Sequence, residues 1–236
     1  MSDTQKLIDN ALNGDTSLND LFNTALTLLD SGDQKSIHKF LTVGHIPSIN
    51  RTIYQKKKIN EWFDLLHQLI IKSNFDVYTL IKQRAEYYRN KPLFQDISEN
   101  KVVPISYWDV WITIQSIGSH FVANLSPHDT VGILTPNHLN GALIDLACLS
   151  YHIRVVPIPM NLSVDHLDYV LDHADITHLF TGSEDVRNLL NDAKRDPNDF
   201  NMVQLDIENE WEAFLKICYQ STLAMPNKRK WMIWQQ

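Results

Sequence analysis

Histidine invites a chemical reading first: the chain has ten, and an imidazole both ligates metals and exchanges protons near neutral pH. His166 and His173 lie seven positions apart on a predicted helix, two turns and so on a similar face. His178 follows, and Asp165, Asp168 and Asp172 are interspersed. A zinc pair on a helix wants H-x-x-x-H or H-x-x-H with a third ligand nearby. That spacing is absent, so the segment reads as surface histidines beside carboxylates. Ser, His and Asp all occur, but no G-x-S-x-G elbow presents a nucleophile, and no paired-carboxylate or thiol arrangement stands out. Phosphate chemistry fares no better. Seven glycines (Gly14, Gly32, Gly44, Gly118, Gly132, Gly141 and Gly182) in 236 residues are less than half the usual share of about 7 per cent, and no two are closer than nine positions. Neither a G-x-G-x-x-G fingerprint nor a G-x-x-x-x-G-K-[ST] loop is present, so nothing lets backbone N–H groups close on phosphate oxygens. The expected assignment is therefore no catalytic, no cofactor-binding and no metal-ligating residue.

The elements that would position any site fall into two regions. From residue 4 to about 90 the periodicity is helical. One stripe runs through Leu18, Leu21, Phe22, Ala25, Leu28 and Leu29 and stops at Ser31-Gly32. A second runs through Ile59, Trp62, Phe63, Leu66, Leu69 and Ile70, and a third through Val77, Leu80, Ile81 and Ala85. Spacings of three and four mark core-facing stripes, and helix packing accounts for the aromatics better than a ligand box. Beyond Asn90, Pro92–Ile97 and Val102–Tyr107 read as two strands around a polar turn, with Ser106 an N-cap for a helix reaching about Asn124. Extended and helical segments then alternate: Thr130–Pro136, His138–His152, Arg154–Pro159, Val164–Ala174, Thr177–Thr181, Glu184–Lys194 and Met202–Ile207. Short apolar runs alternating with amphipathic helices are βαβ units, whose strands are parallel. The fold class is α/β, a layered parallel-rich sheet with flanking helices after a helical N-terminal extension. Ligands of such sheets bind beyond the carboxyl ends of the strands, here Thr135-Pro136-Asn137-His138, Pro159-Met160-Asn161 and Thr181-Gly182-Ser183-Glu184. Helix capping by the Asn and Ser residues, with Ser163 capping the Val164 helix, is the simpler use of these polar groups.

Composition narrows the function class. With 44% hydrophobic and 21% charged residues the chain can bury a core. A net charge of -7 argues against nucleic acid as a partner. The run Lys56-Lys57-Lys58 sits in a helical, polar-faced stretch and reads as solvated. Cys148 and Cys218 form no C-x-x-C pair, which points to a reduced compartment. No secretory leader and no membrane-length apolar run is present, so a cytoplasmic protein is expected.

Ser106-Tyr107-Trp108-Asp109-Val110, a helix, and His128-Asp129-Thr130-Val131-Gly132-Ile133-Leu134-Thr135-Pro136-Asn137 resemble the early part of the adenylate-forming (AMP-binding) superfamily, which includes acyl-CoA synthetases. Ala142–Ser150 followed by Val155-Val156-Pro157-Ile158-Pro159-Met160-Asn161 is similar to that family's next segment, and Leu167–Asp175 with Leu179-Phe180 to the one after. The resemblance covers roughly residues 75–185. Two departures fall at turns: His152 stands where the family usually has Gly, and Pro127-His128-Asp129 replaces Pro-Gly-Asp. The resemblance implies a two-step acid–thiol ligase. ATP and a carboxylate give an acyl-adenylate, and coenzyme A then displaces AMP, with Mg²⁺ offsetting phosphate charge. A long-chain fatty acid is the expected substrate of the intact enzyme. The family's Tyr-Thr-Ser-Gly phosphate loop and its later motifs do not occur in these residues, so the chain by itself is expected to bind none of ATP, Mg²⁺ or coenzyme A and to be inactive.

The last residues, Lys230-Trp231-Met232-Ile233-Trp234-Gln235-Gln236, suggest why. Trp and Met have single codons, and a one-base shift within the Lys230 codon converts the underlying RNA to Met-Asp-Asp-(Leu or Met)-Ala-(Thr or Ala). That resembles the family's segment just before its phosphate loop. The expectation is a truncated, frameshifted N-terminal portion: a helical extension over 1–75, an incomplete AMP-binding subdomain over 76–225, and an out-of-frame tail over 226–236. An exposed apolar face would then favour self-association. Two readings from other classes stay open: a non-catalytic α/β binding module, and an unrelated doubly wound enzyme using residues 165–178.

Overall fold

The structure, a computed structural model, describes residues 3–98, 101–182 and 185–224. The chain forms two compact units, Met1–Gln83 and Arg84–Gln236.

The first unit is helical: α1 (Asp3–Asn13), α2 (Leu18–Ser31), α3 (Gln34–Phe40), a 3₁₀ turn at Leu41–His45, α4 (Pro47–Gln55) and α5 (Ile59–Ser73). Helix α6 (Val77–Tyr88) carries the chain into the second unit. Ser17 caps α2 by accepting from the Asp20 N–H, and Gly32 closes it in the left-handed region at φ 64, where a residue without Cβ fits at no steric cost. The α2 stripe is buried as expected at Leu21, Ala25 and Leu28. The α5 stripe is corrected. Its buried face runs Trp62, Leu65, Leu69 and Ser73, with Trp62 packed on Phe22 and Phe40, while Phe63 is 58% exposed and Ile70 lies at the surface. The expected stripe spanned both edges of the apolar arc, and only the edge carrying the indole meets the other helices. In the third stripe only Ala85 is fully buried. Lys56-Lys57-Lys58 is also corrected, from helix to the turn between α4 and α5. Lys57 sits there at φ 55, and the Lys58 Nζ meets the Glu61 carboxylate at 2.6 Å.

The second unit begins with an antiparallel hairpin, β1 (Pro92–Ser98) and β2 (Lys101–Ser106). Ser106 then caps α7 (Tyr107–Asn124), its Oγ accepting from the Asp109 N–H at 3.1 Å and donating to the Asp109 carboxylate at 2.6 Å. The alternating part follows as β3 (Thr130–Leu134), α8 (Leu139–Ser150), β4 (Arg154–Pro157), α9 (Val164–His173), β5 (Ile176–Thr181), α10 (Asp185–Asp192), β6 (Asn201–Gln204) and α11 (Glu208–Ala224). All pairings in this four-stranded sheet are parallel, in the order β4-β3-β5-β6. The expected α/β architecture is therefore present. Helix α11 has no counterpart in the sequence reading, although its inward face, Trp211, Phe214 and Cys218, follows the helical spacing. The strand expected over Met202–Ile207 ends at Gln204.

Candidate functional site

Strand order decides where a ligand would sit. The chain leaves β3 through α8 to reach β4 on one side, then crosses by α9 to β5 on the other side of β3. The connections therefore progress across the sheet in opposite directions on the two sides of β3, while the strands stay parallel, and such a switch point opens a crevice beyond the carboxyl ends of the strands.

A hydrogen-bond network fixes those ends. The Ile158 N–H donates to the Ile133 carbonyl at 2.8 Å, the Gly182 N–H to that of Leu134 at 3.2 Å, and the Leu205 N–H to that of Thr181 at 2.7 Å. The Asn140 side chain on α8 donates to the Leu205 carbonyl at 2.8 Å. Thr135 is wedged among these groups. A Cβ on Gly182 would lie 1.8 Å from the Thr135 Oγ1, and one on Gly141 would lie 2.8 Å from its Cγ2. Both glycines are thus required by close approach. The Thr135 and Thr181 Oγ1 atoms are buried without a hydrogen-bond partner.

On the β4 side of this edge lies a cleft of about 760 Å³, lined by Phe94–Ile97 of β1, Ile133, Thr135–Leu139, Gly141, Ala142 and Asp145 of α8, and Pro157–Pro159. Burial pushes the Asp145 carboxyl up from its ordinary range. The lining holds two carboxylates, Asp96 and Asp145, and no Lys or Arg. A polyphosphate needs the reverse, cations and converging N–H donors, so these residues do not fit a nucleotide triphosphate. Among the described residues no three His, Cys, Asp or Glu side chains are grouped to hold a metal ion.

The residues weighed for chemistry separate in space. His166 and His173 are exposed on α9, with the His173 ring stacked on Tyr169 at 5.1 Å. Both are surface histidines, as expected, and two of the neighbouring acids are engaged elsewhere: Arg195 draws Asp168 to 2.5 Å and Asp172 to 2.6 Å, since a guanidinium offers a permanent charge and paired donors. His178 is half-buried on β5, its Nδ1 2.9 Å from the Thr177 Oγ1. At the strand ends, α8 is capped by His138 and not by Asn137, the imidazole Nδ1 accepting from the Asn140 N–H at 3.3 Å. Ser163 caps α9 as expected. Ser183 and Glu184 lie outside the described residues, as does the tail from 226. Sequence reasoning passed over the β1 residues and Asp145. A lone acid within the apolar run Ala142–Ser150 was the signal available for the latter.

With this geometry in hand, three comparisons bear on what the residues belong to. A family model described as AMP-binding enzyme matches residues 81–226, continuing past the motif resemblance through β6 and α11. A curated relative, fatty acyl-CoA synthetase A of Dictyostelium discoideum, is 26% identical over 49% of this chain and 18% of its own length. Two solved structures are also similar. The fatty acid AMP ligase from Legionella pneumophila has 16% identity over 56% of this chain and 23% of that chain, with a TM-score of 0.46. A Mycobacterium tuberculosis fatty acyl CoA synthetase has 14% identity over 60% and 28%, with a TM-score of 0.49. The chain thus spans less than a third of the length of each of these relatives.

Proposed function

The chain belongs to the AMP-binding enzyme family, and on that premise we propose that it supplies the first part of a ligase that activates a fatty acid. In the whole enzyme a carboxylate would attack the α-phosphorus of ATP and release pyrophosphate. A thiol, coenzyme A, would then attack the acyl carbon and expel AMP. The observation that carries this reading is the family match over the second unit, joined to a curated relative described as a fatty acyl-CoA synthetase. ATP, Mg²⁺ and coenzyme A would be held by residues other than these, because the cleft beyond the sheet is acidic and lacks a phosphate loop. These 236 residues would contribute scaffold: the parallel sheet, the strand-end network around Thr135, and the crevice it shapes.

The same reading makes residues 226–236 an out-of-frame tail and the chain inactive by itself. It also favours association between copies, since Ile97, Val102 and Val103 of the hairpin are exposed. Two free, buried cysteines, Cys148 and Cys218, suit a cytoplasmic location, and no helix among the described residues is long and apolar enough to cross a membrane. Restoring the frame at the Lys230 codon and expressing the extended reading frame tests the proposal. Fatty-acid-dependent release of pyrophosphate from ATP supports it. A restored frame that encodes no Tyr-Thr-Ser-Gly loop overturns it.

A further inference from the structure

The first unit, outside the residues matched to the family, carries the longest run of the chain without a carboxylate. Between Gln34 and Asn60 stand Lys35, Lys39, Arg51, Lys56, Lys57 and Lys58 and no Asp or Glu, in a chain of net charge -7. Lys39 is matched by Asp9 and Lys58 by Glu61, each at 2.6 Å. Arg51, Lys56 and Lys57 are exposed, and among the described residues none of the three is held in an ion pair. The next carboxylates, Glu61 and Asp64, come only on α5.

Helix α4 and the turn after it present these cations together. Ile49 and Ile53 face inward, which leaves Arg51, Tyr54 and Gln55, spaced three and four positions, on the solvent side. Tyr54 is 73% exposed, the most exposed aromatic ring among the described residues. The helix closes with the Lys57 N–H donating to the Tyr54 carbonyl at 3.0 Å and the Lys58 N–H to that of Ile53 at 3.1 Å. This is a Schellman closure, so the backbone of the turn is fixed while its side chains reach into solvent. Lys57 takes the left-handed position at φ 55. The other left-handed residues described in this unit are Gly14, Gly32 and Asn74, types suited to that conformation. Glycine would close α4 at less cost, so the fold by itself does not call for a lysine there.

An exposed ring among unpaired cations matches an anionic bilayer. Tyrosine sits well at the level of lipid headgroups, and each Lys or Arg near the surface adds attraction to acidic lipid. Phe63, one turn into α5 and 58% exposed, adds an apolar group that acyl chains can receive and a sugar–phosphate backbone cannot. The net charge of -7 also opposes a long polyanion.

We propose that the end of α4 and the turn into α5, with Arg51, Tyr54, Lys56 and Lys57, dock the first unit on an anionic lipid surface. Flotation of the full chain with large unilamellar vesicles tests this, since self-associated protein does not float. Vesicles of phosphatidylcholine with about 30 per cent phosphatidylserine are expected to bind at least ~tenfold more tightly than phosphatidylcholine alone, and raising salt from about 0.1 M to about 0.5 M is expected to remove the difference. Each cation removed should weaken binding roughly fivefold, and Lys56→Gln with Lys57→Gly together roughly 25-fold. Lys57→Gly suits the left-handed position, so it removes charge without threatening the fold. Lys216→Gln on α11 is expected to leave binding unchanged. Equal binding to both kinds of vesicle, a double variant that binds like the unaltered chain, or an equal loss in Lys216→Gln would overturn the proposal. So would tighter binding to a single-stranded RNA of about 20 nucleotides than to the acidic vesicles.

Discussion

At the scale of single residues, close approach sets the most definite expectations. Thr135 occupies the space that a side chain at 182 would need. Gly182→Ala should therefore cost about 1–3 kcal/mol, the usual penalty for overpacking, and Thr135→Ala in the same chain should recover most of it. Urea unfolding of the single and double variants measures both. His152 makes the opposite case. It sits at φ 56, in the left-handed region that glycine adopts freely, at the turn where the family usually has Gly. His152→Gly should stabilise the second unit by up to about 1 kcal/mol, read as a higher urea midpoint; an unchanged or lower midpoint would show that the imidazole's own contacts outweigh the backbone. His128, the other departure, is absent from the positive-φ residues, so its replacement of glycine carries no such backbone cost. For His120 and His178 the sign is fixed by burial. Both hold protons less tightly folded than unfolded, so the unfolded chain binds more protons below about pH 6.5 and stability falls as the pH drops through that window. A stability-against-pH curve that is flat between neutrality and about pH 5 would contradict this.

At the scale of elements, caps and alternation carry the fold. Ser106→Ala removes the acceptor for the Asp109 N–H at the start of α7 and should cost about 1 kcal/mol, seen as a lower midpoint of thermal unfolding. The same residue shows why so much was legible in sequence. A Ser followed three positions later by Asp and then by an apolar helix announces a helix start from local chemistry alone, and Ser163, just ahead of the Val164 helix, was legible as a cap in the same way. The β3 run is legible because a strand buried on both faces is a short apolar run bounded by turn residues, and β4 and β5 are legible from their alternation with amphipathic helices. What was not legible depends on partners distant in sequence. Which edge of α5 faces inward is decided by Trp62 meeting Phe22 and Phe40. Asp168 and Asp172 turn to Arg195, more than twenty positions away. What the Phe214 face of α11 packs against, Phe121 and Phe180, is likewise set by residues distant in sequence. The cleft was hidden for the same reason: β1 and α8 are separated by forty residues, and only the folded chain sets Phe94 and Asp145 around one space.

At the scale of the whole molecule, the two units have different standing. The second carries the family match over residues 81–226 and the parallel sheet with its switch point. The first is a helical unit with its own buried centre around Trp62. The hairpin leaves the cross-strand pair Ile97 and Val102 exposed on one face, and a two-stranded ribbon with an uncovered apolar pair is marginal by itself. Sedimentation velocity should accordingly show association that grows with concentration; a single monomeric species at high concentration would count against the proposed exposed interface. The central proposal is that these residues supply scaffold to an acid-activating ligase whose phosphate-handling groups lie in other residues. Acid-dependent exchange of labelled pyrophosphate into ATP tests that claim most directly, because it reports the adenylation step before any thiol is needed. With the purified 236-residue chain, ATP, Mg²⁺ and a long-chain fatty acid, no exchange above the protein-free rate is expected; fatty-acid-dependent exchange by this chain alone would contradict the account.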